Sequence, residues 1–373
     1  MNKLVINFNV VLLLLLSIFI LSTNCKASKS DSPEFVQGIW LWGSVLNSKN
    51  AETVIDKLID HNISEVYFLV KGTAGVKTNA ENLTEFITKA HAKNIEVHLW
   101  YIVFEDGEYV AANPQAHIYH CPNPSKNIRR PYPIDDQRVN PFYPGYKEYV
   151  YESIRYFLTN FDCDGIHLDV IRYGHFVYSF DPYSLQQAAS LGCDTTRLLG
   201  FFNTEDNYTT YAKNEGFVDL YANKDQDVVI WIEMRKNIVS DYIKGIRNII
   251  NETKAGIELT AAFMPEGTID TIFSDVFYAQ NYRLHSTLLD MISPMVYFKS
   301  YDETTEWLKT ITQGIKEQVV PTCKVLTGIQ AFNNVTAPQI KEQIQYSFDG
   351  GADGIILFRY GTMTEDYWEM VKK

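Results

Sequence analysis

Two periods alternate along the chain. Short apolar runs at 38–42, 65–70, 96–103, 165–169, 257–264, 291–298, 324–332 and 354–360 show no sustained polar face. Runs of this length predict strands of a parallel sheet buried on both sides. Between them, 51–63, 82–95, 146–161, 231–253, 305–319 and 337–351 place apolar residues three and four apart. That spacing predicts amphipathic helices, and a short helix at 364–373 closes the chain. Eight strands alternating with helices predict one closed (β/α)₈ TIM barrel over 36–373. The rival topology is an open doubly wound sheet. No GxGxxG follows the first strand, so dinucleotide binding lacks its signature. Two stretches, 104–144 and 171–227, read as long irregular loops after strands three and four. In a barrel both open onto the face made by the strand C-termini, where long loops generally serve function. They are expected to wall one cleft.

Composition narrows the function. The 373 residues, 46% hydrophobic and 21% charged, are ordinary for a globular chain. A net charge of −12, with no basic run beyond KNIRRP at 126–131, excludes nucleic acid as a natural partner, because neutralising phosphates takes clustered Lys and Arg. Aromatics reach 14%, through core packing or a sugar-stacking surface. The opening MNKLVINFNVVLLLLLSIFILSTNCKAS has Lys3 and then an apolar stretch at 10–21. It reads as a signal peptide, 1–27, cut after Ala27, with lipidation at Cys25 as the alternative. Residues 28–35 are a polar linker. The expected location is the cell envelope or outside the cell, with membrane contact only through a lipid on Cys25. Cys121, Cys163, Cys193 and Cys323 make no CxxC pattern, so structural zinc is not expected. Export permits disulfides, yet spacing alone fixes no pairing. Sequons fall at Asn62, Asn82, Asn207, Asn251 and Asn334, as expected by chance in an Asn-rich chain.

The chemistry centres on GIHLDVIRYG, 165–174. Asp169 ends the fourth apolar run and in a barrel points into the mouth. The same rule gathers Trp42, Lys71, Trp100, Tyr297, Gln330 and Arg359 from other strand ends, with Arg172 and Tyr173 directly behind Asp169. His167, two residues before Asp169, lies on the same side of the strand, one layer deeper. A carboxylate amid aromatic and cationic groups fits sugar chemistry. Glycoside hydrolysis needs one carboxyl to protonate the leaving oxygen and another to attack or activate water. Aromatic faces bind sugar rings, and Arg or Lys holds substrate oxygens.

QGIWLW, NPFYPGYKEYVYESIRYFLTNFDCDGIHLDVIRYG, RKN at 235–237 and DMISPMVYF resemble the glycosyl-hydrolase-like family 10 of exported barrel glycosidases. That family carries GIHxDDYRYP-like and IxPQxYW-like segments. The resemblance implies a (β/α)₈ sugar hydrolase at the cell envelope. It puts Asp169, Arg172 and Tyr173 on the most specific motif, Tyr297 on the strand-six tyrosine, and Lys71 where a basic residue is usual. The chain departs from the pattern at Val170 (second aspartate), Gly174 (proline), Met295 (glutamine) and Phe298 (tryptophan). For the second carboxyl, Glu266 follows strand five in FMPEG, where neighbouring barrel glycosidases commonly place an acid. Glu105, Asp106, Glu233 and Asp302 are rivals. The reading is therefore a glycoside hydrolase acting on an oligo- or polysaccharide through two carboxylates, Asp169 and Glu266, without cofactor or metal. The alternatives are a non-catalytic carbohydrate-binding barrel and a metal-dependent hydrolase. The last would rest on His98, His167 and Asp169 and has no HxH or HExxH pattern.

Overall fold

The computed structural model describes residues 35–75, 79–134 and 136–372. The proposed signal peptide, Cys25 and the linker up to residue 34 lie outside the described residues. Eight parallel strands close a barrel: β1 Val36–Trp42, β2 Glu65–Lys71, β3 Glu96–Ile102, β4 Gly165–Asp169, β5 Glu258–Phe263, β6 Met291–Pro294, β7 Lys324–Gln330 and β8 Gly354–Phe358. β8 pairs back onto β1. Around them run α1 Ala51–Ile59, α2 Ala80–His91, α3 Tyr146–Asn160, α4 Gln226–Thr253, α5 Thr271–Tyr278, α6 Trp307–Lys316, α7 Ala337–Asp349 and α8 Glu365–Val371.

Alternation along each strand builds two cores. Ile39, Leu41, Val66, Phe68, Val97, Leu99, Ile166 and Leu168 pack outward against the helices. Trp40, Tyr67, Trp100, Met291, Leu326 and Ile356 fill the barrel interior, as side chains of opposite parity must. The first two helices end earlier than their periodicity predicts, for one reason. Asn62 and Asn94 adopt left-handed φ of 55° and 58°. The following Ile63 and Ile95 then donate backbone N–H bonds to Leu58 and Ala90, both 3.0 Å. This is a helix-ending αL residue followed by a buried apolar one. Strand β6 also stops short of the expected 298. Pro294 has no N–H for the ladder, and the chain turns into a 3₁₀ helix, Phe298–Tyr301.

The two long connections are not irregular. The one after β4 folds into helices Pro182–Ser190, Thr195–Gly200, Glu205–Tyr208 and Gly216–Ala222. Its aromatics are packed: Phe176, Phe180, Phe202 and Phe217 join Trp231 of α4 in a second hydrophobic cluster. Backbone bonds join this connection to the one after β3. Cys121 N–H donates to Val177 O at 2.7 Å and Phe180 N–H to Tyr119 O at 3.1 Å. Most of the aromatic excess in these loops is therefore structural. All four cysteines here are buried and unbonded to one another.

Strand β4 can start where it does because Gly165 has no side chain. A Cβ there would lie 2.1 Å from Nδ1 of His98 on β3. The His98 ring is fully buried and cannot swing away. Gly165→Ala is expected to lower stability by about 1–3 kcal/mol through overpacking. Thermal melts check this; an unchanged melting temperature would show that β3 and β4 can separate freely.

Candidate active site

Asp169 terminates β4, and backbone pairing continues past it: Val103 N–H donates to Asp169 O at 2.8 Å and Phe104 N–H to Val170 O at 3.2 Å. Its carboxylate accepts from the Trp100 indole Nε1–H at 3.1 Å and from the Val170 N–H at 2.6 Å. The residue keeps some exposure, yet its carboxyl is packed deeply enough that desolvation dominates. Burial pushes its pKa up, and the charge of Arg172 and these two donors oppose the rise.

The surroundings are aromatic. Trp40, Trp100 and Phe358 form a floor with ring centroids 5.5–6.3 Å apart. Tyr297, at the end of β6, packs on Phe358 at 5.6 Å and on Phe332 at 5.3 Å. Its hydroxyl is buried without a hydrogen-bond partner. Desolvation raises the Tyr297 pKa, and the Asp169 charge raises it further. Phe358 packs on all four of the other rings, Trp40, Trp100, Tyr297 and Phe332, and the sequence reading did not single it out. Its inward parity on β8 was the available signal.

Arg172 leads from Asp169 towards Glu266. Its guanidinium lies 5.9 Å from the Tyr278 ring centre, and its Nε has no hydrogen-bond partner. Tyr278 donates its hydroxyl to Glu266 Oε1 at 2.8 Å, and Tyr301 donates to the same oxygen at 3.0 Å. Glu266 Oε2 is buried without a partner. Glu105 approaches from the β3 side. Burial raises its pKa most; Arg138 and Arg172 pull it down, and Asp136 and Asp169 push it up. Among the rivals, Glu233 and Asp106 are committed elsewhere: Glu233 binds Lys236 at 2.9 Å, and Asp106 pairs with Lys71 at 3.2 Å. Asp302 sits in a left-handed turn beyond the β6 end.

Four expected substrate contacts lie differently. Lys71 is fully buried. The β2–β3 register shifts between Leu69 and Lys71, and a bulge re-aims the side chain. Lys71 Nζ donates to Ile102 O at 2.7 Å and Glu105 O at 2.6 Å, so it pins the start of the β3 loop. His167 accepts from Trp40 Nε1–H at 3.3 Å through Nε2, and its Nδ1 meets Thr260 Oγ1 at 2.8 Å. The indole can only donate, which fixes the tautomer with the proton on Nδ1. Burial holds its pKa well below the ordinary value, so it is a neutral barrel-core residue. Tyr173 is 2% exposed, with the Arg235 guanidinium 4.1 Å above its ring. Gln330 is buried and accepts from Lys299 N–H at 3.0 Å, holding the β6 loop. Trp42, by contrast, is 38% exposed, and the Arg359 guanidinium stacks 3.4 Å above it. His98, His167 and Asp169 do not converge. His98 pairs in register with Gly165, four residues or about 13 Å along the strand from Asp169.

Arg235 of the RKN segment sets the site's frame. It donates to Val276 O at 2.8 Å and His175 O at 3.0 Å, tying the loop after β4 to α5. Tyr173 N–H donates to Tyr278 O at 3.0 Å across the same seam. Burial without a carboxylate partner lowers the Arg235 pKa to about 10.

A barrel with aromatic and carboxylate groups at its C-terminal mouth defines the class, and sequence comparison gives the family. The chain belongs to the glycosyl hydrolase-like 10 family, whose model matches residues 35–348. Among curated protein sequences, none matches. The glycoside hydrolase domain of PgaB (BpsB) from Bordetella bronchiseptica shares the fold at TM-score 0.63 and 12% identity, over 91% of this chain and 98% of that one. The β-amylase catalytic domain from Paenibacillus polymyxa matches at 0.60 and 8%, over 90% and 95%. A β-galactosidase from the psychrophilic Marinomonas ef1 matches at 0.62 and 10%, over 90% and 58%.

Val170 takes φ 49°, a left-handed conformation that a β-branched residue adopts only under constraint. The family motif has aspartate here, which tolerates that region better. Val170→Asn and Val170→Ala both remove the isopropyl group, but only Asn suits the backbone. The Asn variant is expected to be more stable than the Ala variant by about 0.5–1 kcal/mol. Chemical denaturation checks this; equal stability would remove the strain.

Proposed function

We propose that the protein hydrolyses glycosidic bonds of an oligo- or polysaccharide, with Asp169 as the proton-donating carboxyl. The observation that carries this reading is the Asp169 carboxyl itself: desolvated, raised in pKa, and flanked by Arg172 and an aromatic floor. A general acid must hold its proton near working pH, and burial is how a carboxyl does so. Tyr297, Phe358 and the exposed Trp42 supply faces for sugar rings. The part-exposed Arg172 guanidinium suits a sugar hydroxyl or the negative charge developing on the leaving oxygen.

For the second carboxyl we propose Glu266. Two phenol hydroxyls donate to one of its oxygens and hold the group in place. Glu105 is the rival, because the Asp169 charge reaches it. Glu266→Gln and Glu105→Gln, assayed side by side, decide between them. The carboxyl whose loss removes turnover is the partner. Export follows from the leader and is proposed on that ground, and the mature N-terminus found by mass spectrometry tests it.

Asp169→Asn is expected to lower turnover by about 10²–10⁴-fold while glycan binding persists. Stability should move the other way. Below the unfolded aspartate pKa, about 3.9, both states hold the proton and the substitution changes little. As pH rises, the unfolded carboxyl ionises first, so the wild type loses stability that Asn retains. The variant should melt above the wild type at pH 7, with the gap closing towards pH 4. Full turnover in a destabilised Asp169→Asn would end the catalytic reading. A wild type that binds glycans but cleaves none would favour the carbohydrate-binding barrel.

A further inference from the structure

The end of the barrel opposite the mouth carries a second polar cluster that sugar hydrolysis does not use. Glu65 and Glu96 open β2 and β3 at matching register, and His98 follows Glu96 two residues on, on the same face. One ligand atom from each lies within 4.8 Å of the others. His98 is fully buried, and neither ring nitrogen has a hydrogen-bond partner. Its Nδ1 packs against Gly165, where a Cβ would come within 2.1 Å, while Nε2 faces Glu96 Oε2 at 3.8 Å. A buried imidazole without partners is costly unless something occupies it.

We propose that Glu65, Glu96 and His98 bind a divalent transition-metal ion, zinc by ligand type, which braces the N-terminal end of the barrel. Imidazole nitrogen and carboxylate oxygen are both zinc ligand types, with bonds of about 2.0–2.2 Å. Ligand atoms on such an ion sit about 3.4 Å apart, so the 3.8 Å between His98 and Glu96 closes with little movement. Tyr67 donates its hydroxyl to Glu65 Oε2 at 2.5 Å, the outer bond that orients a ligating carboxylate. Charge points the same way. Glu65, Glu96 and Glu258 act together on one ammonium, Lys324, which pairs with Glu258 at 2.8 Å. Three carboxylates gathered around one ammonium and one imidazole favour a further cation. The Glu96 side chain is 57% exposed and gives an ion a route in from solvent.

The full chain, stripped with chelator, is titrated with Zn²⁺ by calorimetry and separately with Co²⁺ by visible absorption. The expected result is one ion per chain, cobalt d–d bands of an N/O site, and a melting temperature raised by several degrees at saturating zinc. Glu96→Gln, on a half-exposed side chain, keeps the fold and is expected to weaken binding more than tenfold; His98→Ala should abolish the cobalt bands. His91→Ala, which removes a surface histidine beside Asp164, should leave stoichiometry and affinity unchanged. No saturable uptake by the wild type overturns the proposal. So does equal affinity in Glu96→Gln, or loss of the site in His91→Ala. Glycan turnover is not the readout, so failure here leaves the role of Asp169 standing.

Discussion

A carboxyl at the end of a buried strand is opposed by desolvation, and the structure around Asp169 is shaped by that opposition. Two N–H donors, from Trp100 and Val170, and the charge of Arg172 keep the group soluble in its own site. They do not cancel the burial, so the carboxyl holds its proton more tightly than a free one. Each donor needs support of its own. Trp100 is held in the floor by Trp40 and Phe358. Val170, which supplies the second donor, itself turns left-handed against its branched side chain.

The loops serve the same end. Arg172 cannot face Asp169 unless the chain after β4 is fixed, and Arg235 fixes it by bonding to carbonyls on both sides of the seam. Lys71 performs the matching task under the β3 loop. Both cations are buried for positioning, and each would be expensive to hold without those carbonyls. The helical excursion after β4 has its own hydrophobic cluster, so it can wall the mouth as a rigid element. Hence the family's RKN segment lies far from the GIHLDVIRYG motif in sequence and close to it in the fold.

The barrel was legible because both its periods are strong. Continuous apolar strands recur eight times, and 3.6-residue helices were read after all of them but the fifth, where Thr271–Tyr278 was missed; the Asn–Ile endings of the first two helices were also overlooked. The helices after β4 were missed, although Asp181–Pro182, Asp194 and Thr204 each carry a helix-start signal. An aromatic-rich stretch masked the periodicity. At the site, the end of β4 and the placement of Asp169 followed from alternation alone. Lys71 did not, because one bulge reverses parity and a sequence shows no bulge. Tyr173 was drawn to the mouth by proximity to Asp169, whereas its packing buries it; His167 shares the parity of Asp169, and its contacts with Trp40 and Thr260 commit it to the barrel interior. Tyr278 and Tyr301, which hold Glu266, come from different connections, and nothing local in the sequence joins them.

The most direct measurement is the titration of the Asp169 carboxyl, read by ¹³C NMR on wild type with Asp169→Asn supplying the assignment. Desolvation beyond the reach of its donors predicts a midpoint above the ordinary aspartate value of about 3.9, and a further rise in Arg172→Ala as the opposing charge is lost. A midpoint at or below that value would mean that the carboxyl is solvated or firmly paired. It would then be a structural anion, and the mouth would have no proton to give.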